Sequence, residues 1–232
     1  MDGEILCISL GGSVISKKDG PNVQYVDKFA ELIARHGDKK LIITVGGGYT
    51  AKAYVEASRG FTSNNFLLDE IGINATRINA MLVRNAIASR TGGVFHSIPI
   101  DVEGIRRGIE VSRIVVLGGL VPGITTDAVS IIAGELAGSK TLINVSNIAY
   151  VYDRPPEEQG AKKLERITHE ELIGLATKYD QRVARSNFIF DLVGAKLAGR
   201  SKMSIFFVDD SIDELGKLLE GKEHNGTVVE SD

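Results

Sequence analysis

The sequence predicts an α/β fold, a mostly parallel sheet with helices on both faces. Three observations predict it. Apolar and β-branched runs such as Ile114-Val115-Val116-Leu117 read as strands buried on both faces. Stretches of helical periodicity separate those runs throughout the chain. Glycine turns follow strands: Gly11-Gly12-Ser13, Gly46-Gly47-Gly48, and Gly118-Gly119 with Pro122-Gly123 after it.

The first strand is expected over Glu4 to Leu10, and a polar loop with Lys17, Lys18, Gly20 and Pro21 follows its glycine turn. Val26, Phe29, Ala30 and Ile33 recur at helical spacing, so Val23 to His36 reads as a helix with Gly37 as a left-handed stop. Leu41 to Val45 is the second strand, Tyr49 to about Ser58 a helix ended by Gly60, and Phe66 to Ser89 a long helix. The long helix carries too many apolar residues for one stripe, which a subunit interface would explain. Val94 to Ile98 reads as a strand, Val102 to Gly108 as a short helix, and Arg113 to Leu117 as the strand already described.

Helix Asp127 to Ala137 gives way to strand Thr141 to Val145. Tyr150 to Leu164 is polar, with Pro155-Pro156 and Gly160, and reads as a flap or hairpin over a site. Capping boxes at Thr168 with Glu171 and Ser211 with Glu214 start helices to about Lys178 and Leu219. Between these helices lie a loop from Tyr179 to Asn187, a helix start near Asp191 and the strand Ser204 to Val208. Asn225-Gly226 turns into a last strand, Thr227 to Glu230.

The chain has 232 residues, enough for one large domain or two small ones. Its net charge of -3, with both signs interspersed, gives no basic stripe and argues against nucleic acid as a partner. Cys7 is the only cysteine and lies in an apolar run, which excludes an intrachain disulfide or a cysteine-based zinc site. Met1-Asp2-Gly3-Glu4 lacks a basic leader, and no apolar run reaches the roughly 18 residues of a membrane span. A cytoplasmic protein with no membrane partner is expected.

A glycine turn between a strand and a helix start points orphan amides and a partial positive charge at the turn, ready for an anion such as phosphate. At the third turn Thr125 or Thr126 can cap the helix. Each turn alone is also explained as a tight connection, but three in one chain point to one composite site. Gly46-Gly47-Gly48-Tyr49-Thr50-Ala51 matches G-x-G-x-x-A, with Asp69 at the distance of a ribose-binding acid. In a dinucleotide fold that acid ends a strand, whereas Asp69 reads as helical. A P-loop is also missing, because Ile124 follows Gly123 where lysine is required. Phosphoryl transfer asks mainly for positioning and positive charge, which directs attention to Lys52, one helical turn past Gly48, and to Lys196 among small and apolar residues.

Gly11-Gly12-Ser13, Gly46-Gly47-Gly48, Asp69 with Gly72, Thr76-Arg77, Asn79-Ala80, Gly118-Gly119, Pro122-Gly123 and Thr125-Thr126-Asp127-Ala128 come in that order. Asn147, Val151-Tyr152, Ala195-Lys196 and His224-Asn225-Gly226-Thr227 complete the series over almost the whole chain. The pattern resembles the amino-acid kinase superfamily, with spacing most similar to archaeal-type uridylate kinases. That resemblance implies a three-layer α/β/α sandwich in a single domain over 1–232. The half to about residue 140 would serve the acceptor nucleotide and the half from about 141 to 232 the ATP. It further implies transfer of the γ-phosphoryl of ATP to UMP with magnesium, and a homohexamer built as a trimer of dimers.

By the same resemblance Gly12, Ser13, Gly48 and Lys52 would face the ATP phosphates, while Ser146, Asn147 and Tyr152 would line the adenine side. Gly47 would face UMP and Asp69 would hold its nucleoside. Leu120, Val121, Pro122, Gly123, Ile124, Thr125 and Thr126 would wrap it, largely through backbone groups. Asp127 would be a buried acid orienting the lysines, Lys196 would stabilise charge in transit, and no residue is assigned as a metal ligand. Three departures stand out. Ser9 occupies the place of a first-strand lysine found in many relatives, Ala149-Tyr150 replaces Asp-Gly after Asn147, and Pro155-Pro156 replaces Asp-Pro.

Two alternatives remain. The start Gly11-Gly12-Ser13-Val14 also resembles isopentenyl phosphate kinases, although the histidine expected around their second glycine turn is absent, with Val45 before the glycines and Tyr49 after them. A nucleotide-binding storage or sensor protein that kept the fold and lost turnover is the reading without catalysis.

Overall fold

The structure, a computed structural model, describes residues 5–179 and 190–231. Glu4 of the expected first strand and all of the expected 179–187 loop except Tyr179 lie outside the described residues. The chain begins with β1 (Ile5–Leu10), a single turn α1 (Gly12–Ile15), a small hairpin of β2 (Ser16–Lys17) and β3 (Gly20–Pro21), and α2 (Val23–Arg35). Next come β4 (Lys40–Val45), α3 (Gly48–Arg59), the long α4 (Asn65–Ala88), α5 (Val102–Val111), β5 (Ile114–Leu117) and α6 (Thr126–Ala137). After β6 (Thr141–Val145) the chain makes β7 (Val151–Tyr152), β8 (Lys163–Leu164), β9 (Arg166–Thr168) and α7 (His169–Tyr179). The series ends with α8 (Leu192–Ser201), β10 (Ser204–Val208), α9 (Ile212–Leu219) and β11 (Val228–Glu230).

The central sheet runs β5-β4-β1-β6-β10-β11-β9, and every pairing in it is parallel except β10 with β11. Strand side chains alternate between faces, so each face must be covered separately. Leu6, Ile8 and Leu10 of β1 pack with Val26, Phe29 and Ile33 of α2, Val83 and Ile87 of α4, and Leu215 of α9. Cys7 and Leu142 pack on the other side with Ile105 of α5, Val129 and Ile131 of α6, Leu172 of α7 and Ala198 of α8. The result is the expected three-layer α/β/α arrangement with a mostly parallel sheet.

Helix starts follow the capping chemistry of the sequence. Asn22, Asp101, Thr125, Asp191 and Ser211 each accept a backbone N–H at a helix start through their side chains. Thr125 rather than Thr126 caps α6. Tyr150 to Leu164 does form a hairpin, with Val151 opposite Leu164 and Tyr152 opposite Lys163.

Two expectations are corrected. Val94 to Ile98 is not a strand: only Val94 bridges to Ile114 and Phe95 N–H reaches Ile114 O at 2.8 Å, after which the chain leaves the sheet edge toward the Asp101 cap. Gly37 is not a left-handed stop, because α2 closes at His36 with φ -99° and Gly37 is absent from the positive-φ residues. His36 Nδ1 lies 2.9 Å from the Leu32 carbonyl in the last turn of the helix.

Candidate active site

Parallel strands end on the same sheet edge, so the turns after β1, β4, β5 and β6 meet there. The first two glycine turns interlock through bare backbone. A Cβ on Gly12 would lie 2.0 Å from the Gly48 nitrogen, and Gly48 holds φ +56°, so both positions require glycine. Gly11 N–H donates to Val145 O at 2.8 Å and Gly46 N–H to Leu10 O at 2.9 Å, pinning both turns to their neighbouring strands. Gly48 opens α3 with Gly47 at the cap position, so no side-chain hydrogen bond closes that helix start.

The wall opposite the turns is one face of α4, where residues three and four apart stand in line. Asn79 Nδ2 donates to the carbonyls of Gly46 and Gly47 at 2.9 and 3.0 Å. Thr76 Oγ1 accepts the Gly119 N–H at 2.6 Å, and Arg77 Nε donates to Gly119 O at 3.2 Å. Asp69 Oδ2 accepts the Gly123 N–H at 2.8 Å at the tip of the third turn. Gly123 has φ +85°, so the chain folds back there only because the residue is glycine. Beside this contact an open cavity of about 490 Å³ is lined by Ile73, Asn74 and Arg77 of α4 and by Leu120 and Pro122 of the turn.

Asp127, in the first turn of α6, lies over the end of β1. Its Oδ1 accepts from Ser9 Oγ at 2.7 Å and from Asn144 Nδ2 at 2.9 Å. Burial pushes the Asp127 carboxyl up to about 6, the Ser9 hydrogen bond works against that, the charge of Asp191 adds to it, and Asn144 opposes it. Asp191 caps α8 through Val193 and Gly194 N–H at 3.1 and 3.0 Å, and its Oδ2 also accepts from Thr125 Oγ1 at 2.9 Å. The starts of α6 and α8 are thereby joined at one point.

The expected lysines are placed differently from the acids. Lys52 and Lys196 are both exposed, and neither is ion-paired with Asp127 or any other described residue, where Asp127 was expected to hold Lys196. Ser9 and Asn144 take that side of the carboxylate instead. Near the expected adenine side, Ser146 Oγ donates to Ile148 O at 2.8 Å and accepts its N–H at 3.1 Å, so Ser146 shapes its own loop. Asn147 and Ser13 are exposed, and Tyr152 is half-buried in the hairpin. Thr227 Oγ1 accepts Val151 N–H at 2.8 Å and donates to Leu164 O, clamping both hairpin strands to the chain before β11.

The structure adds residues that were not assigned to the site. Thr76, Arg77 and Asn79 were noted in the sequence pattern without a role, and they turn out to latch the second and third turns. Asp191 was read only as a helix start. Asn144 went unnoticed, although it is the one polar residue inside the apolar run Leu142-Ile143-Asn144-Val145, an uncommon place for an amide. Chemically, bare amides on one side can hold anionic oxygens, and the exposed lysines can meet charge that develops between them.

A model of the amino acid kinase family matches residues 4–208, and the chain belongs to that family. Within it, the uridylate kinase of Thermoplasma acidophilum is 37% identical over 230 residues, covering 99% of this chain and 98% of the relative. The uridylate kinase of Methanococcus vannielii is 34% identical over 97% of this chain and 98% of its own length. Among solved structures, a uridylate kinase from Archaeoglobus fulgidus superposes with a TM-score of 0.82 at 30% identity, covering 97% of this chain and 99% of that one. A UMP kinase from Bacillus anthracis, at 19% identity and a TM-score of 0.76, shares the fold.

Proposed function

We propose that this protein is a UMP kinase, transferring the γ-phosphoryl of ATP to UMP to give UDP and ADP. The observation that carries the reading is full-length similarity to uridylate kinases, together with Asp69 bonded to the tip of the very turn assigned to the acceptor. Gly47, Asp69 and residues 120–126 bind UMP in this reading. Gly12, Ser13, Gly48 and Lys52 face the ATP phosphates, and Ser146, Asn147 and Tyr152 flank the adenine. The division at about residue 140 into an acceptor half and an ATP half follows the same assignment.

Phosphoryl transfer leaves the protein the work of aligning two nucleotides and compensating charge on the moving group. The interlocked turns bring backbone N–H groups close together without intervening side chains. Lys196 is the cation we assign to the moving phosphoryl, with Lys52 second. Magnesium would arrive with the ATP phosphates, as it does where few protein ligands hold it. Among the described residues no three His, Cys, Asp or Glu side chains converge on a metal-sized space.

Homo-oligomer formation is supported by an apolar face on α3 and α4. Tyr54 of α3, Phe66, Ile78 and Met81 of α4 and Phe61 in the turn between them are all exposed, and α3 buries no residue of its own. A hexamer and a cytoplasmic location are part of the proposal, and no described helix is long and apolar enough to cross a membrane. A coupled ADP-release assay with UMP, CMP and isopentenyl phosphate tests the reading. ADP release with UMP is expected; turnover of another acceptor with UMP at background would overturn it.

A further inference from the structure

One row of the central sheet departs from its apolar surroundings. Thr44 of β4, Ser9 of β1 and Asn144 of β6 are register partners on neighbouring strands, so they share the face that α6 covers. All are buried, Thr44 completely. Their same-face neighbours Cys7, Ile42 and Leu142 belong to the apolar core. A polar row in such a place destabilises the fold unless its groups are bonded. Ser9 and Asn144 are bonded, and both donate to the same oxygen, Asp127 Oδ1. Thr44 Oγ1 has no partner among the described residues, so the row holds one more hydroxyl than Asp127 uses.

We propose that Ser9 and Asn144 are positioning residues for phosphoryl transfer, holding Asp127 by Oδ1 in its ionised form and leaving Oδ2 as the anchor for a cation beside the glycine turns. The proposal rests on the kinase reading above. Two neutral donors orient a carboxylate without cancelling its charge, whereas a first-strand lysine would neutralise it. No described residue donates to Oδ2. Of the two cations on the adjoining α8, Arg200 is paired with Glu135 of α6, which leaves Lys196, exposed near a helix start that abuts that of α6: a Cβ on Gly194 would lie 3.3 Å from the Ala128 nitrogen.

The charges around Asp127 leave this task to Ser9 and Asn144. Asp191 at the start of α8 opposes ionisation of Asp127, as burial does. β1 brings Cys7, whose thiol burial pushes up to about 12, and β4 brings only Lys40 at its far end; β6 brings no ionisable side chain. α5, packed further along α6, carries Arg106 paired with Glu103 on its exposed side. Against burial and Asp191, the hydrogen bonds from Ser9 and Asn144 favour the carboxylate form of Asp127.

The test is a pH titration of Asp127 by carboxyl ¹³C NMR on the full chain, alongside the pH profile of kcat. Ser9→Ala and Asn144→Leu should each raise the Asp127 midpoint by about one pH unit and move the acid limb of kcat with it. In either variant, kcat at about pH 6 should then fall several-fold more than kcat at about pH 8. Ser9→Thr keeps a hydroxyl and should restore both, and the thermal midpoint of each variant shows that it folds. An unmoved Asp127 midpoint, or a kcat loss equal at every pH, would mean that the pair only fills space and would overturn the proposal. The titration needs no turnover, so it stands apart from the kinase reading. Wild-type kcat in Asp127→Asn would instead remove Asp127 from the site and sink the proposal by that route.

Discussion

The wall built on α4 and the wall built on the β6 loop, hairpin and α8 face each other across the glycine turns, and they are held in different ways. On α4 the side chains reach out: Asp69, Thr76, Arg77 and Asn79 all bond backbone of the turns, each from a rigid helix. On the other wall Asp191 meets the third turn through Thr125 and Thr227 clamps the hairpin, but the loop and hairpin side chains bond their own segments. Ser146 holds Ile148, Asp153 and Lys162 hold the hairpin to itself, and Lys196 is exposed. One wall is therefore preorganised, while the other has charged groups not yet engaged. In a transferase that contrast suits one substrate seated in a finished pocket and a second one that completes its own surroundings.

The comparison breaks first at Lys196. If the loosely held wall supplies the cation, Lys196→Met should lower kcat by about two to three orders of magnitude with little change in either KM, as expected for one strong electrostatic stabiliser. Steady-state kinetics with both nucleotides saturating measure this. Wild-type kcat there, together with loss of activity in Lys17→Met or Lys18→Met, would move the cation to the first loop and invert the assignment.

A smaller effect is expected on the finished wall. Asp69→Asn weakens a charge-assisted bond to Gly123 N–H, a loss on the order of 1 to 2 kcal/mol, so KM for UMP should rise about tenfold. KM for ATP should hardly move. Equal rises in both would give Asp69 a structural role and remove the distinction between the walls.

Asp127 sharpens the comparison through stability. Its folded-state value of about 6 lies above the ordinary 3.8, so between those pH values the native chain keeps a proton that the unfolded chain releases. Stability from this group falls as pH rises through that window, and above about 6 the whole penalty applies. Asparagine cannot ionise and can still accept from Ser9 and Asn144. Asp127→Asn should therefore be more stable than wild type at about pH 8, by roughly 1 to 3 kcal/mol, with the difference vanishing near pH 4. Chemical denaturation at both pH values measures it; a variant less stable at pH 8 would contradict the assigned cause of the shift.

The smallest effect should appear in the hairpin. Hydrogen exchange across 150–164 should slow a few-fold with an ATP analogue and magnesium, while the α4 segment, already bonded to the turns, changes less. Unchanged exchange would make the hairpin an ordinary loop and leave only α8 to distinguish the second wall.

Much of the fold could be read from local chemistry. Unbroken apolar runs located the parallel strands, and caps such as Thr125 and Ser211 located helix starts, because each signal acts within a few residues of chain. Glycine turns likewise announced the site, since interlocked backbones tolerate no Cβ at Gly12 or Gly48. Val94 to Ile98 misled because its apolar residues specify burial, and Phe95 is buried without continued pairing to β5. Sequence by itself determined the family, the mostly parallel α/β class and the three glycine turns. Tertiary structure alone decided what surrounds Asp127: Ser9 and Asn144 are 135 residues apart in number and adjacent only in strand register. Their two bonds to Asp127 cross chain separations of 118 and 17 residues, and no local pattern encodes a contact made by strand register and helix docking together.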